Sequence, residues 1–218
     1  MVNHFDSRPS FLYPQPQPAN EPRQRKRHVI TADPHLSEHA AAVEKALAKA
    51  AAAVTPEEFR DLIGDPGGSM LRAMMECVAA DSMSIWIADL AEANLVVTHS
   101  EPDPNFIGWS QPLEEGLISL SFASEQSLCE NQAYLNAAHS KRADEALGQV
   151  TAAMIVTPFY FGGMLQGVIS CVQLKSHAEA PDPPGFSARS MNRIRRLSTV
   201  LERLVNYRLL IHLFGLEL

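Results

Sequence analysis

The chain has 218 residues, of which 46% are hydrophobic and 20% charged, and a formal net charge of −7 at pH 7. This length predicts one domain with a sizeable core, and no apolar run reaches the roughly 18 residues that span a bilayer. Three cysteines far apart, without a C-x-x-C pair and without an apolar signal segment at the N-terminus, predict free thiols in the cytoplasm.

Charge is distributed unevenly along the sequence. Basic and acidic residues number five and three in residues 1–34, seven and twenty in 35–187, and six and two in 188–218. The acidic body makes nucleic acid an improbable partner for the main domain. The basic C-terminal segment is expected to dock on an acidic surface, either its own or that of a partner.

The first segments of the chain predict a tail followed by a helix. Residues 1–33 are rich in Pro and Gln and poor in apolar residues, which predicts disorder; the function of the basic run 23–28 is left open. Asp33-Pro34 is a helix start, and the Ala-rich residues 34–54 carry a narrow apolar stripe. His35 and His39 on this helix are too few to bind a metal ion.

Residues 55–218 are interpreted as one domain. A second helix starts at Thr55 with a capping box, is broken at residues 65–68, and resumes over 70–80. Strands are predicted over 82–90 and 94–99, a short helix after Leu117, a short strand over 128–131, and a polar helix over 137–149.

The strongest local signal lies in residues 153–174, where two apolar runs flank Gly162-Gly163 and predict a hairpin. Both faces of the second strand are apolar, so both sides of the sheet are expected to be covered. Pro158 cannot donate a hydrogen bond within a sheet and is expected at an edge or a bulge. A Pro-rich linker over 178–185 precedes a closing helix over 186–214.

This order of elements and several short motifs resemble the GAF domain family over about residues 55–208. The motifs are SIWIAD at 84–89, PLEEGL at 112–117, SLC at 127–129, VTPF at 156–159, GGMLQGVI at 162–169, and Phe186-Ser187. The resemblance implies an α+β, PAS-related fold with a central antiparallel sheet of about five to six strands. It also implies helices on one side of the sheet and a ligand pocket on the other.

The motifs that would define a known ligand are incomplete. Cyclic-nucleotide-binding members of the family carry Asn-Lys, a spacer and Phe-x-x-x-Asp-Glu, whereas this chain has Gln173-Leu174-Lys175 and then Phe186 without the acidic pair. Bilin attachment through Cys129 has little support, because Glu130 rather than His follows it. The cofactor and ligand therefore remain unknown. The candidate pocket residues are Trp86, Phe122, Cys129, Tyr134, His139 and Phe159, all of which could equally be core.

No catalytic motif is present in the sequence. It therefore predicts a non-enzymatic small-molecule sensor or regulatory module, such as a bacterial regulator, that signals through dimeric helices. One alternative is a thiol-dependent reductase of the free-methionine-sulfoxide type that uses Cys129 with Cys77 or Cys171. The other is a degenerate GAF domain that acts only as a scaffold for dimerisation or protein interaction.

Assembly is predicted from the closing helix. One seam carries apolar residues at near-heptad spacing, and it is expected to form a homodimer bundle together with the helix of residues 34–54. The sequence ends soon after this helix, so any signal is expected to pass to a partner protein. The seam residues are Ile194, Leu197, Leu201, Leu204 and Ile211.

Overall fold

A computed structural model describes residues 33–216, so most of the predicted tail over 1–33 lies outside the described residues. Within them, the strands are β1 Ser82–Asp89, β2 Asn94–Glu101, β3 Ser110–Pro112, β4 Leu128–Glu130, β5 Val150–Phe161 and β6 Met164–Lys175. They form one sheet with the strand order β3-β2-β1-β6-β5-β4, in which each neighbouring pair is antiparallel. The helices are α1 Pro34–Ala53, α2 Pro56–Val78, α3 Gly116–Ser124, α4 Arg142–Leu147 and α5 Ala188–Leu213.

The two sides of the sheet are covered differently. Helices α1, α2 and α5 pack on one side, which we call the helix face. Helices α3 and α4 and the loops around them cover the other side, which we call the cavity face. This arrangement confirms the predicted α+β class, an antiparallel sheet with flanking helices.

The β5–β6 hairpin forms the centre of the sheet, as its sequence predicts. Gly162 and Gly163 have φ of +61° and +78°, which the tight turn requires. Pairing between β4 and β5 ends at Leu128 and Val156, so Pro158 lies just beyond it on the free edge of β5, where no hydrogen bond is lost. Further along this edge, the N–H groups of Tyr160 and Gly162 donate to side chains of α5.

The helix face contains the larger core. Phe59 on α2 is fully buried and contacts Phe159 and Phe161 on β5, with ring centroids 5.9 and 5.3 Å away. Around them lie aliphatic side chains of all three helices and of strands β1, β5 and β6. No helix in residues 33–216 is long and apolar enough to cross a membrane.

Three predicted elements differ from the observed ones. The break predicted at 65–68 is present but begins one residue earlier, because the non-helical backbone of Gly64, with φ of +43° and ψ of −148°, separates two helical segments of α2. The polar helix expected over 137–149 is only α4, because the side chain of Asn136 accepts from the N–H of Ala138 and forms a turn instead. Strand β3 was missed because it is three residues long and contains a proline.

The predicted dimer seam requires a correction. Ile194 and Leu201 are fully buried in the core of the helix face, so they pack within their own domain. Leu197 and Leu204 lie at the margin of the same core, and Ile211 is half-buried. The spacing on α5 identified an apolar stripe correctly, but two of its five residues, Ile194 and Leu201, pack within their own domain and not against a second copy.

Candidate functional site

The cavity face contains a partly open cavity of about 140 Å³, lined by strands β1, β2, β5 and β6 and covered by α3 and α4. A void of roughly 150 Å³ is large enough to hold a benzene molecule. The cavity can therefore accept a small organic molecule, and its lining determines which chemistry it favours.

A row of three serines forms part of the cavity floor. Ser84 on β1 pairs with Ser100 on β2 and with Ser170 on β6, and all three line the cavity. They occupy positions where a strand covered on both sides normally carries apolar side chains. Each is at most 8% exposed. Hydroxyl groups thus replace apolar packing at the centre of this face.

Ser100 has an unpartnered hydroxyl group. Its Oγ is buried and has no hydrogen-bond partner among the described residues, whereas Oγ of Ser84 accepts from Nε1 of Trp86 at 2.8 Å. A buried hydroxyl without a partner costs about 1–3 kcal/mol in desolvation. A ligand or water with a polar group in the cavity would supply the missing partner.

Asp144 holds the cover of the cavity in place. Its carboxylate accepts from the backbone N–H of Thr151 at 2.9 Å, from Oγ1 of Thr151 at 2.6 Å, and lies 3.3 Å from Nε2 of His139. Burial alone would raise the pKa of Asp144, but the hydrogen bonds from His139 and Thr151 outweigh it, and the pKa is lowered. Asp144 is therefore an ionised anchor that joins α4 to β5.

Aromatic rings form one wall. Trp86 and Phe106 both line the cavity and meet edge to face, with ring centroids 5.5 Å apart. Trp109 packs behind them, 5.8 Å from Trp86 and 5.5 Å from Phe106. The guanidinium of Arg142 lies 5.9 Å from the Trp109 ring, outside the cavity lining.

The charged groups of the lining are acidic. Asp81, Asp103 and Asp144 line the cavity, and among residues 33–216 no lysine or arginine does. One oxygen of Asp81 accepts from the N–H of Leu174, and one oxygen of Asp103 accepts from the N–H and side chain of Asn105. Within the described chain the second oxygen of each has no hydrogen bond, so both can still accept from a ligand.

The structure brings two of the six predicted pocket residues to the cavity, Trp86 and His139. Phe122 packs beside the core of the cavity face but does not line the space. Phe159 lies on the helix face against Phe59, so its predicted place in the pocket requires correction. The serine row was missed, although serines that interrupt otherwise apolar strands were a readable signal.

Cys129 and Tyr134 lie near the linker that leads into α5 rather than at the cavity. Sγ of Cys129 is 3.8 Å from the carbonyl oxygen of Phe186. The hydroxyl group of Tyr134 donates to Asp182, whose carboxylate also accepts from the buried amine of Lys175, and that amine lies 3.4 Å from the Tyr134 ring centroid. This cluster fixes the linker against the sheet.

None of the three cysteines lines the cavity. Burial raises the pKa of Cys171 to about 12, and burial together with Glu130 raises the pKa of Cys129. Cys77 is exposed at the end of α2. Cys129 and Cys171 pair with opposite sides of Ile155, so a strand separates the two thiols. Residues 33–216 also contain no group of three side chains that could hold a metal ion.

Comparison with solved structures identifies the fold. The sequence matches no protein-family model and no curated protein sequence. The structure is similar to the GAF domain of a phosphoenolpyruvate-protein phosphotransferase from Coxiella burnetii, with 19% identity over 80% of this chain and 95% of that one and a TM-score of 0.56. The corresponding Acinetobacter domain gives 15% identity over 85% and 99% of the two chains and a TM-score of 0.53.

A third similar structure is an enzyme, the free methionine-R-sulfoxide reductase from Neisseria meningitidis in complex with its substrate. It is 13% identical over 80% of this chain and 92% of that one, with a TM-score of 0.52. The chain has the GAF domain fold, which confirms the resemblance found in its sequence at the level of the fold.

Proposed function

We propose that this protein is a non-enzymatic regulatory module that binds a small molecule in the cavity beneath α3 and α4. The observation that carries the proposal is the unpartnered, buried hydroxyl of Ser100 beside a cavity of about 140 Å³. A space needed only for packing would favour apolar side chains, because each unpartnered polar group costs stability. The lining also has the composition of a typical ligand site, because it combines apolar walls with a few polar groups.

The contacts around the linker provide a connection from the cavity face to α5. The side chain of Asn131 accepts from the N–H of Phe186 at 2.7 Å and donates to its carbonyl oxygen at 3.0 Å, immediately before the N-cap of α5. Asn131 follows β4, which pairs with the cavity-lining strand β5. A ligand that shifts this region would move the start of α5, and that helix would pass the change to a partner.

Native mass spectrometry of the freshly purified full chain tests the binding proposal. We expect a retained small molecule that is lost in Ala143→Phe, since Ala143 lines the cavity and a phenyl ring would fill it. Ala146→Phe on the same helix is the matched control, because Ala146 is exposed and outside the lining. Loss of the molecule in both variants or in neither would mean that it binds elsewhere.

The thiol reductase is the alternative enzyme, since similar structures include free methionine-R-sulfoxide reductases. We disfavour it because a nucleophilic cysteine needs a lowered pKa, whereas the pKa values of Cys129 and Cys171 are both raised. We therefore expect no turnover of free methionine sulfoxide with a thiol reductant. Turnover that disappears in Cys129→Ser would establish the enzyme instead.

We also propose a homodimer through α5, on a face that keeps Leu197, Leu204 and Ile211 of the predicted seam but excludes its buried residues Ile194 and Leu201. Heptad positions on the outer face of α5 carry six apolar residues, among which Val200, Tyr207 and Phe214 are 52%, 57% and 59% exposed. The exposed α1 side chain of Leu36, with Val43, continues this face beside Phe214. The six positions are Leu197, Val200, Leu204, Tyr207, Ile211 and Phe214.

A second copy is the occupant that this face favours, because a repeat with heptad spacing is complementary to itself about a two-fold axis. Val200→Glu with Tyr207→Glu should convert a dimer into a folded monomer at tens of micromolar, about the range in which weak dimers form. Leu201→Glu is the contrasting variant, since its buried position predicts unfolding. Sedimentation that finds the unaltered chain monomeric would contradict the dimer.

A further inference from the structure

The lining of the cavity carries information about the charge of its ligand. We infer that the cavity takes a small organic cation with a hydrogen-bonding group, of the size and type of an amino alcohol. The inference rests on the proposed function, because it names the ligand class of the same site. It is carried by three features together: acidic groups, aromatic faces and an unpartnered hydroxyl.

The first feature is the sign of the charge. Three carboxylates line the cavity, those of Asp81, Asp103 and Asp144, and in the described part of the chain no lysine or arginine joins them. Asp144 already binds His139 and Thr151, but Asp81 and Asp103 each keep one oxygen without a hydrogen bond to a described residue. A phosphate or carboxylate ligand would meet repulsion here, whereas an ammonium group would be attracted.

The second feature is the aromatic wall formed by Trp86 and Phe106, both of which line the cavity. A cation within about 6 Å of an aromatic ring is attracted to its face, and tryptophan is the most favourable ring. Arg142 already lies 5.9 Å from Trp109 on the outer side of the same aromatic cluster, where Glu115 pairs with it at 3.3 Å. The inner side has aromatic surface but no lysine or arginine among the described residues.

The third feature is the serine row, which gives the opposite end of a ligand something to bind. Oγ of Ser100 has no partner, and Ser170 lines the same floor one strand beyond Ser84. An uncharged donor or acceptor such as a hydroxyl group matches these side chains. A cavity of about 140 Å³ has room for a ligand of roughly six to ten non-hydrogen atoms.

Two features of the described lining could attract an anion. One is the imidazole of His139, which already lies 3.3 Å from the carboxylate of Asp144. The other is the start of α3, where Gly116, Leu117 and Ile118 line the cavity, because a helix N-terminus is partly positive. Glu115 is the N-cap residue of that helix, and its carboxylate bonds Ser140 and Arg142 beside it. The negative charge of Glu115 offsets the partial positive charge at the N-terminus of α3. A zwitterion with both charges is therefore a separate arm of the test rather than the expected ligand.

The experiment compares three probes of nearly the same shape on the full chain by isothermal titration: choline, its uncharged carbon isostere 3,3-dimethyl-1-butanol, and the zwitterion betaine. We expect choline to bind about tenfold tighter than the isostere, because only the charge differs between them. Betaine should bind more weakly than choline. Equal binding of choline and the isostere, tighter binding of betaine, or no binding of any probe at about 10 mM would overturn the inference.

Variants separate the charge effect from simple occupancy. Asp81→Asn with Asp103→Asn should weaken choline binding several-fold while leaving the isostere unchanged, since asparagine keeps an acceptor oxygen at both positions. Asp65→Asn, at an exposed position on α2, is the matched control and should change neither. If the double variant leaves choline affinity unchanged, the inference is wrong. A molecule retained in the cavity by native mass spectrometry would still support the proposed function.

Discussion

The same strands meet two different environments on the two sides of the sheet. On β1, Met83, Ile85 and Ile87 face the helices and are at most 1% exposed in a continuous apolar core. The intervening Ser84 faces the cavity, as Ser100 and Ser170 do on the neighbouring strands. The helix face is filled by side chains, although Oγ of Ser198 on α5 is also buried without a partner among the described residues, whereas the cavity face retains a space beside its hydroxyl groups.

This difference separates what makes the domain stable from what allows it to bind. Helix-face packing removes large apolar side chains from water, which is the main source of folding free energy. The cavity face gives up part of that gain, because a space and an unpartnered hydroxyl both reduce stability. Substitutions on the two sides should therefore change the free energy of unfolding by different amounts and sometimes with opposite sign.

The largest expected effect is on the helix face. Phe59→Ala should lower the free energy of unfolding by about 3–5 kcal/mol, because removing a fully buried ring with three aromatic neighbours leaves a void in a packed core. Phe106→Ala, in the wall of the existing cavity, should cost clearly less. Chemical denaturation of both variants measures the difference; equal losses would mean that the two faces are packed alike.

The next effect depends on pH and also concerns the helix face. His99 is buried against the ring edge of Phe59, and burial together with Arg60 lowers its pKa from 6.5 to about 4. Between these values the unfolded chain binds a proton that the folded chain does not, so stability is complete above pH 6.5 and falls as the pH falls towards 4. The loss should be on the order of 3 kcal/mol.

His99→Gln should remove this contribution to the pH dependence, measured as the free energy of unfolding at several pH values. The exposed His177, replaced in the same way, is the control and should leave the profile unchanged. A profile in His99→Gln that still falls as steeply between pH 6.5 and 4 as the original would show that His99 does not titrate as its burial requires.

An intermediate effect is expected where the cavity cover is anchored. Asp144→Asn should cost about 1–3 kcal/mol at neutral pH, because it replaces a charged acceptor of three hydrogen bonds by an amide. The folded pKa of Asp144 is lowered, so its contribution is present above the unfolded pKa and is lost as pH falls through the folded value. The variant should therefore lose less stability than the original protein on acidification, which thermal unfolding would detect.

The smallest effect should have the opposite sign. Ser100→Ala removes an unpartnered buried hydroxyl, so the ligand-free protein should be unchanged or more stable by up to about 1 kcal/mol. Ser84→Ala is the matched comparison and should be destabilising, since it leaves Nε1 of Trp86 without its acceptor. Destabilisation of similar size in both variants would mean that Ser100 has a partner in solution.

The sequence carried more information about the elements than about the site. The Gly162-Gly163 turn, the edge position of Pro158 and the start of α5 at Ser187 are local matters of backbone geometry and capping, and they were predictable. The break in α2 was also predictable from its proline and glycines, and only its position differs by one residue, at the non-helical Gly64.

The site depends on which residues of different strands become neighbours, and this is not encoded in local sequence patterns. Ser84, Ser100 and Ser170 come from three separate parts of the chain, and only the strand order makes them neighbours. Aromatic residues were chosen as pocket candidates by type, so Phe159 was included although the alternation along β5 directs it to the helix face. For the same reason the spacing on α5 placed Ile194 and Leu201 in the seam although their own domain covers them, since spacing identifies an apolar face but not what covers it.

Methyl NMR of the full chain tests most directly whether the cavity face is the binding face. On addition of a pooled panel of small metabolites, we predict shifts for methyl groups in the cavity lining, Leu117, Ile118, Met154 and Val172. Methyl groups of the helix-face core, Met74, Ile155 and Leu201, should stay unmoved. No shifts in the cavity methyl groups with any pool, or shifts confined to the helix face, would contradict the account.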